Sequence, residues 1–152
     1  MRLTKHSDYA LRVLIYAATH RDRLVTIDET VAALGGVSRG HLMKVIGTLG
    51  RAGLLSGRRG RTGGIRLARD PRAIRLSAVL RATEPDFALF ECLGGDQSCV
   101  ILPACRLPRI AQRARAAFLA EFEHHTLADI MVSSAVFDQP APAQVTASGR
   151  AS

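Results

Sequence analysis

Cys92, Cys99 and Cys105 fall within fourteen residues, in "ECLGGDQSCVILPACRL", and the 152-residue chain has no other cysteine. Four chemistries compete for them. A disulfide framework needs an even count and an oxidising compartment, and the set is odd with no secretion signal beside it. A structural zinc site takes four N/S ligands, usually in short knuckles, and the C-x6-C-x5-C gaps are wider than that. Inert core thiols fit poorly, because Gly94-Gly95 and Pro103 mark the stretch as loop. An iron–sulfur cluster accepts three thiolates, with its fourth ligand supplied from elsewhere. Spacing alone leaves the zinc and iron–sulfur readings open.

The loop needs a scaffold, and charge divides that scaffold into halves. The chain carries 21 Lys/Arg against 13 Asp/Glu, a net charge of +8. Residues 1–70 hold thirteen Lys/Arg against five Asp/Glu, whereas residues 71–152 hold eight of each. All of the excess therefore lies in the first half, the footprint of a nucleic-acid-binding module joined to a neutral segment. With 47% hydrophobic residues the chain can build a packed core. Its apolar runs are broken by charge well short of a bilayer span. The N-terminal "MRLTKHSDYALRVLIYAATH" has a basic start and an apolar middle, but Asp8 and Arg12 interrupt it and no small-residue cleavage site follows. It reads as a mature amphipathic helix rather than a signal peptide, so a soluble, cytoplasmic protein with no membrane partner is expected.

The first half has a recognisable order. Leu11, Leu14, Ile15 and Ala18 make one stripe at helical spacing, with Thr4 as the N-cap. Thr26 and Glu29 form a capping box opening a short helix that stops at Gly35-Gly36. Ser38 caps a further helix with Leu42, Val45, Ile46 and Leu49 on one face. Two short helices across a tight glycine turn make a helix-turn-helix. Leu54-Leu55 and Ile65-Arg66-Leu67 then read as strands around a Gly/Arg loop, a β-hairpin wing. The expected fold is mostly α with a small β-hairpin wing: a winged helix-turn-helix over residues 1–70. In this order Ser38, Arg39, His41 and Lys44 begin the recognition helix, and Arg58, Arg59 and Arg61 ride on the wing. Arg39 is shaped to read guanine; Lys44 and the wing arginines suit phosphates or an adjacent minor groove. The expected partner is a double-stranded DNA operator.

Residues 71–136 are expected to hold a short helix ending at Pro85 with Ser77 as an internal cap, the cysteine loop, a long helix and a closing helix capped by Thr126. The long helix carries two apolar rows, Leu107, Ile110, Ala114 and Ala117, and Ala111, Phe118 and Phe122. One row suffices to dock a helix on its own domain; the second predicts a homodimer. Residues 137–152, Pro/Ala-rich and polar, read as a disordered tail. No spacing supports a catalytic carboxylate pair, and "RGRTGG" lacks the helix and Lys-Ser/Thr of a phosphate loop, so no enzyme is expected.

The stretches "MRLTKHSDYALRVLIYAA", "VSRGHLMKVIGTLGRAG", "RGRTGGIRLAR", "CVILPACRL" and "TLADI" resemble the winged-helix iron–sulfur transcriptional repressors, over residues 1 to about 131. Within that family the nitric-oxide-sensing branch is the nearer. The resemblance implies a homodimeric repressor of genes for nitric oxide detoxification under nitrosative stress. It implies a [4Fe-4S] or [2Fe-2S] cluster on Cys92, Cys99 and Cys105, whose nitrosylation or loss releases the operator. One branch takes its fourth ligand from an aspartate near the N-terminus of the other subunit, and Asp8 stands in the matching place. The IscR-like branch uses a histidine two residues after the last cysteine, where this chain has Leu107. Asp8 has plainer readings too: a carboxylate on the helix dipole, or an i+4 partner of Arg12. A sensor of iron or cluster supply with the same fold, and a zinc-stabilised DNA-binding protein, are the alternative functions.

Overall fold

A computed structural model describes residues 3–60, 62–94 and 98–138. Helices α1 (Lys5–Thr19), α2 (Ile27–Leu34) and α3 (Arg39–Arg51) come first, followed by the antiparallel strands β1 (Leu55–Arg58) and β2 (Gly64–Leu67). A short 3-10 turn leads to α4 (Leu76–Thr83), and the cysteine loop leads to α5 (Leu107–His124).

Local rules place the helix starts. The Thr4 side chain accepts from the Ser7 amide, Ser38 from that of His41, and Thr26 and Glu29 form their capping box. Gly35 and Gly36 take φ of 56° and 63°, a left-handed pair that turns the chain sharply from α2 into α3. Leu55 pairs with Leu67 and Arg58 with Gly64 along the wing. Ile65 also exchanges hydrogen bonds with Val25 at 2.9 and 2.8 Å, which ties the wing to the segment before α2. Gly64 permits that approach, since a Cβ there would lie 2.7 Å from the Val25 carbonyl oxygen.

The core is built around α1. Ala10, Val13, Leu14 and Ala17 are buried against Leu42, Val45 and Leu49 of α3, which present the face expected of them. On α1 the outcome differs from the single stripe expected: Leu11 and Ile15 are half-buried flanks, and Ala10 and Val13 lie deeper. Neighbours on several sides of α1 bury more of it than one face. Ile74, Val79 and Leu127 join the same core.

Ser77 is the second residue of α4 rather than a cap; buried, its hydroxyl donates to the Glu123 carboxylate. The segment capped by Thr126 is one 3-10 turn, Leu127–Ile130, because hydrogen bonds between residues 74–76 and 125–127 hold the chain extended up to it. Phe137, placed in the tail by composition, packs edge-on against Tyr16 with ring centroids 5.0 Å apart. The remainder of the expected disordered tail, residues 139–152, lies outside the described residues. No helix among the described residues is long and apolar enough to cross a membrane.

The capping box carries a measurable pH dependence. The Arg23 guanidinium, with the Thr26 amide and the Tyr16 hydroxyl, holds the Glu29 carboxyl at about 2 against an ordinary 4.5, outweighing its partial desolvation. A depressed native pKa stabilises the fold above the unfolded value. That contribution is therefore complete above pH 4.5 and disappears as pH falls toward 2. Arg23 is substantially exposed, so screening weakens the pair. Glu29→Ala is expected to cost about 1 kcal/mol at neutral pH and to flatten the loss of stability below pH 4.5, read by circular dichroism melts.

Candidate functional site

Two regions carry the chemistry. The first is the outer face of α3 with the wing. Arg39, Gly40, Met43 and Lys44 are exposed there, at helical spacing. Ser38 is exposed, although its hydroxyl is engaged at 3.3 Å as the cap of α3. Arg39 leans on Asp28 of α2 at 2.7 Å, with both side chains well in solvent, so the pair is weak and the guanidinium can be recruited elsewhere. Lys44 makes no ion pair among the described residues. Arg58 ends β1 and Arg59 follows at the tip, both exposed; Arg61 lies outside the described residues.

His41 behaves differently. It is half-buried, its ring edge-on to Tyr9 at 5.0 Å and stacked over His6 at 6.0 Å, both on α1. Burial, and next the neighbouring His41, lower the His6 pKa. Further cations, not singled out by the sequence motifs, lie on the outer face of the hairpin. Arg66 sits opposite exposed Ser56, and together with Arg21 and Arg69 they line a shallow cavity beside the wing. Strand alternation carries that signal: Leu55 and Ile65 point inward, so Ser56 and Arg66 point outward.

The second region is the cysteine loop. Cys92 lies in the 3-10 turn Glu91–Leu93 and Cys105 shortly before α5; both are half-buried, and Cys99 is exposed. All three are free thiols. From Cys99 onward the backbone folds through consecutive turns, with amides of Leu102, Ala104 and Cys105 bonded to the carbonyls of Cys99, Ile101 and Leu102. Cys92 and Cys99 line one open pocket with Asp86, Phe90, Glu91 and Leu107. Residues 95–97 of the loop lie outside the described residues, and among the described ones no three His, Cys, Asp or Glu side chains converge on a metal position. Three reachable soft donors on one loop suit an iron–sulfur cluster in kind and number, one short of a full set.

Asp86 and Glu91 are the carboxylates of that pocket, and Asp8 is not among its lining residues. Asp8 is on α1, half exposed, and paired with Arg12 at 2.9 Å, the i+4 partner. The end of α4, which leads toward the loop, is anchored to the start of α1. Glu84, which ends α4, accepts hydrogen bonds from the Thr4 amide at 2.8 Å and from the hydroxyls of Thr4 and Ser7 at 3.0 and 2.5 Å. On α5, Ala111 and Leu119 are buried and Phe118 and Phe122 half-buried, while Leu107, Ile110, Ala114 and Ala117 lie on the outward side, with Leu107 and Ile110 exposed. Val100 and Ile101 of the loop are also exposed.

Comparison with known proteins bears on the family and the fold. The profile of Rrf2, a family of iron-dependent transcriptional regulators, matches residues 3–133. HTH-type transcriptional regulators NsrR are similar: that of Bacillus licheniformis is 40% identical, over 88% of this chain and 94% of its own, and that of Bacillus subtilis 42%, over 86% and 90%. Among solved structures, the global cysteine regulator CymR of B. subtilis aligns with TM-score 0.64 at 22% identity, covering 86% of this chain and 95% of its own. IscR of T. potens aligns with TM-score 0.64 at 21% identity, covering 86% and 85%. These two likenesses establish the winged-helix fold.

Proposed function

Because this chain belongs to the Rrf2 family of transcriptional regulators, we propose that it is a homodimeric, nitric-oxide-responsive repressor carrying an iron–sulfur cluster on Cys92, Cys99 and Cys105. The observation that carries the reading is the cysteine loop itself: three free thiols, two in one pocket, at the foot of a helix whose apolar row is uncovered. Asp8 of a second copy is the fourth ligand. A bound cluster supplies an iron site that a small diatomic molecule can reach, most readily beside a hard carboxylate donor.

The chain's own residues do the rest. Arg39 and Lys44 enter a major groove while Arg58, Arg59 and Arg66 follow the phosphates. The α5 rows hold two such reading heads together. Glu84 pins the end of α4, next to the cysteine loop, to α1, so loop and DNA-binding helices move together. Asp8 of each copy ties its α1 to the other copy's loop, and release of that tie lets the heads shift out of half-site register.

Protein purified without oxygen is expected to show visible absorption, and to release a duplex selected by that protein from a random pool when nitric oxide is added. Binding unchanged by nitric oxide removes the sensing role, and a colourless, zinc-containing protein removes the cluster.

A further inference from the structure

His41 raises a question that DNA contact does not answer: why the first turn of a recognition helix commits an imidazole to α1. The ring it meets edge-on is Tyr9, which follows Asp8 directly. Tyr9 also donates its hydroxyl to the Gly36 carbonyl at 3.3 Å, inside the turn that leads into α3. Its face lies 5.9 Å from the Arg12 guanidinium, and Arg12 is the partner of Asp8. One side chain thus touches the cation that holds Asp8, the turn before the recognition helix and the first turn of that helix. No other α1 residue makes that set of contacts among the described residues.

We propose that Tyr9 is a positioning residue that couples the state of Asp8 to the seat of the recognition helix. The proposal rests on the reading of Asp8 as a cluster ligand from a second copy. When Asp8 is free, its carboxylate shares Arg12 with the Tyr9 ring. When Asp8 is drawn to the other copy's cysteine loop, Arg12 gives up that carboxylate and the ring becomes its nearest described partner. A cation over an aromatic face and an aromatic edge against an imidazole both depend on ring position. A shift of the Tyr9 ring therefore reaches His41 and Gly36 together. The chain offers this link in its own residues, a Tyr at 9 and a His at 41, each bonded or packed as described.

Contacts in a row become coupling only if breaking one link removes the dependence of one end on the other. The test uses full-length protein reconstituted without oxygen, and a duplex selected from a random pool by the wild-type loaded form. The loaded wild-type protein is expected to bind this duplex about tenfold or more tightly than its cluster-free form. In Tyr9→Leu the visible spectrum and the cluster-free affinity should persist, while the ratio falls below about threefold. Hydrogen exchange of residues 36–43 should differ between loaded and cluster-free wild type and be the same in both states of the variant. A ratio left intact, or equal weakening of both forms, overturns the proposal and leaves Tyr9 a packing residue. Should Tyr9→Leu not fold, Arg12→Gln cuts the chain one contact earlier and is judged by the same ratio. A colourless wild-type protein overturns the cluster reading itself, and the coupling with it.

Discussion

Ile110→Glu is expected to turn the protein into a monomer and to weaken operator binding by about 100-fold or more. Ile110 is 62% exposed and Leu107, one turn earlier, 41% exposed on α5, while the same helix buries Ala111 and Leu119 inward. A helix that has already docked one face gains nothing from a second apolar row left in water. In the proposed homodimer a second copy, related by a two-fold axis, brings that row against itself. A carboxylate placed there meets its own image in an apolar surface, unpaired and desolvated. The effect on DNA binding exceeds the effect on the interface alone. Each half-site contributes a weak, salt-sensitive affinity, and the dimer makes engagement of the second half-site intramolecular. Sedimentation should give a dimer for the wild-type protein and for Gln112→Glu, a charge added on the same helix outside the row. An Ile110→Glu protein that sediments as a dimer places the interface elsewhere.

How much of this was legible in the sequence follows the range of the forces involved. Thr4, Thr26, Glu29 and Ser38 were readable because a cap is settled within three residues. The α3 face was readable because one side of that helix meets one core. Helix α1 was only half readable: periodicity finds a stripe, and Ala10 and Ala17 become core because other elements close over them. The direction of His41 depends on Tyr9 and His6, more than thirty residues away in sequence, and no local pattern encodes it. Arg66 was within reach, since strand alternation alone turns it outward. Of the proposed site, the three thiols stood out by type and spacing, which left zinc and iron–sulfur both open. Asp8 was named as a ligand only by resemblance; on this chain its carboxylate rests on Arg12 of its own helix, and no local pattern links it to the cysteines.

The cysteines themselves should separate folding from cofactor binding more sharply than any other positions. Cys105→Ser is expected to abolish visible absorption after reconstitution and to leave the selected duplex bound only as weakly as the cluster-free wild type binds it. Its thermal midpoint in the cluster-free state should change by less than the equivalent of about 1 kcal/mol. The loss of absorption follows from the proposed cluster, and the small change in folding follows from the structure. No disulfide ties these residues, Cys99 is exposed and the other two only half-buried, so the fold gives up little packing when a sulfur becomes an oxygen. The donor set, by contrast, has no reserve. The chain holds three cysteines in all, so replacing one leaves two thiolates, and a serine hydroxyl is a hard donor that stays protonated at neutral pH. Asp8→Ala should be milder, keeping some absorption with a changed spectrum, because the three soft donors remain. Visible absorption that survives Cys105→Ser in full, measured beside iron and sulfide content, removes Cys105 from the cluster. Equal destabilisation of the fold by all three cysteine variants would instead make these thiols packing groups, and the loop's exposure argues against that outcome.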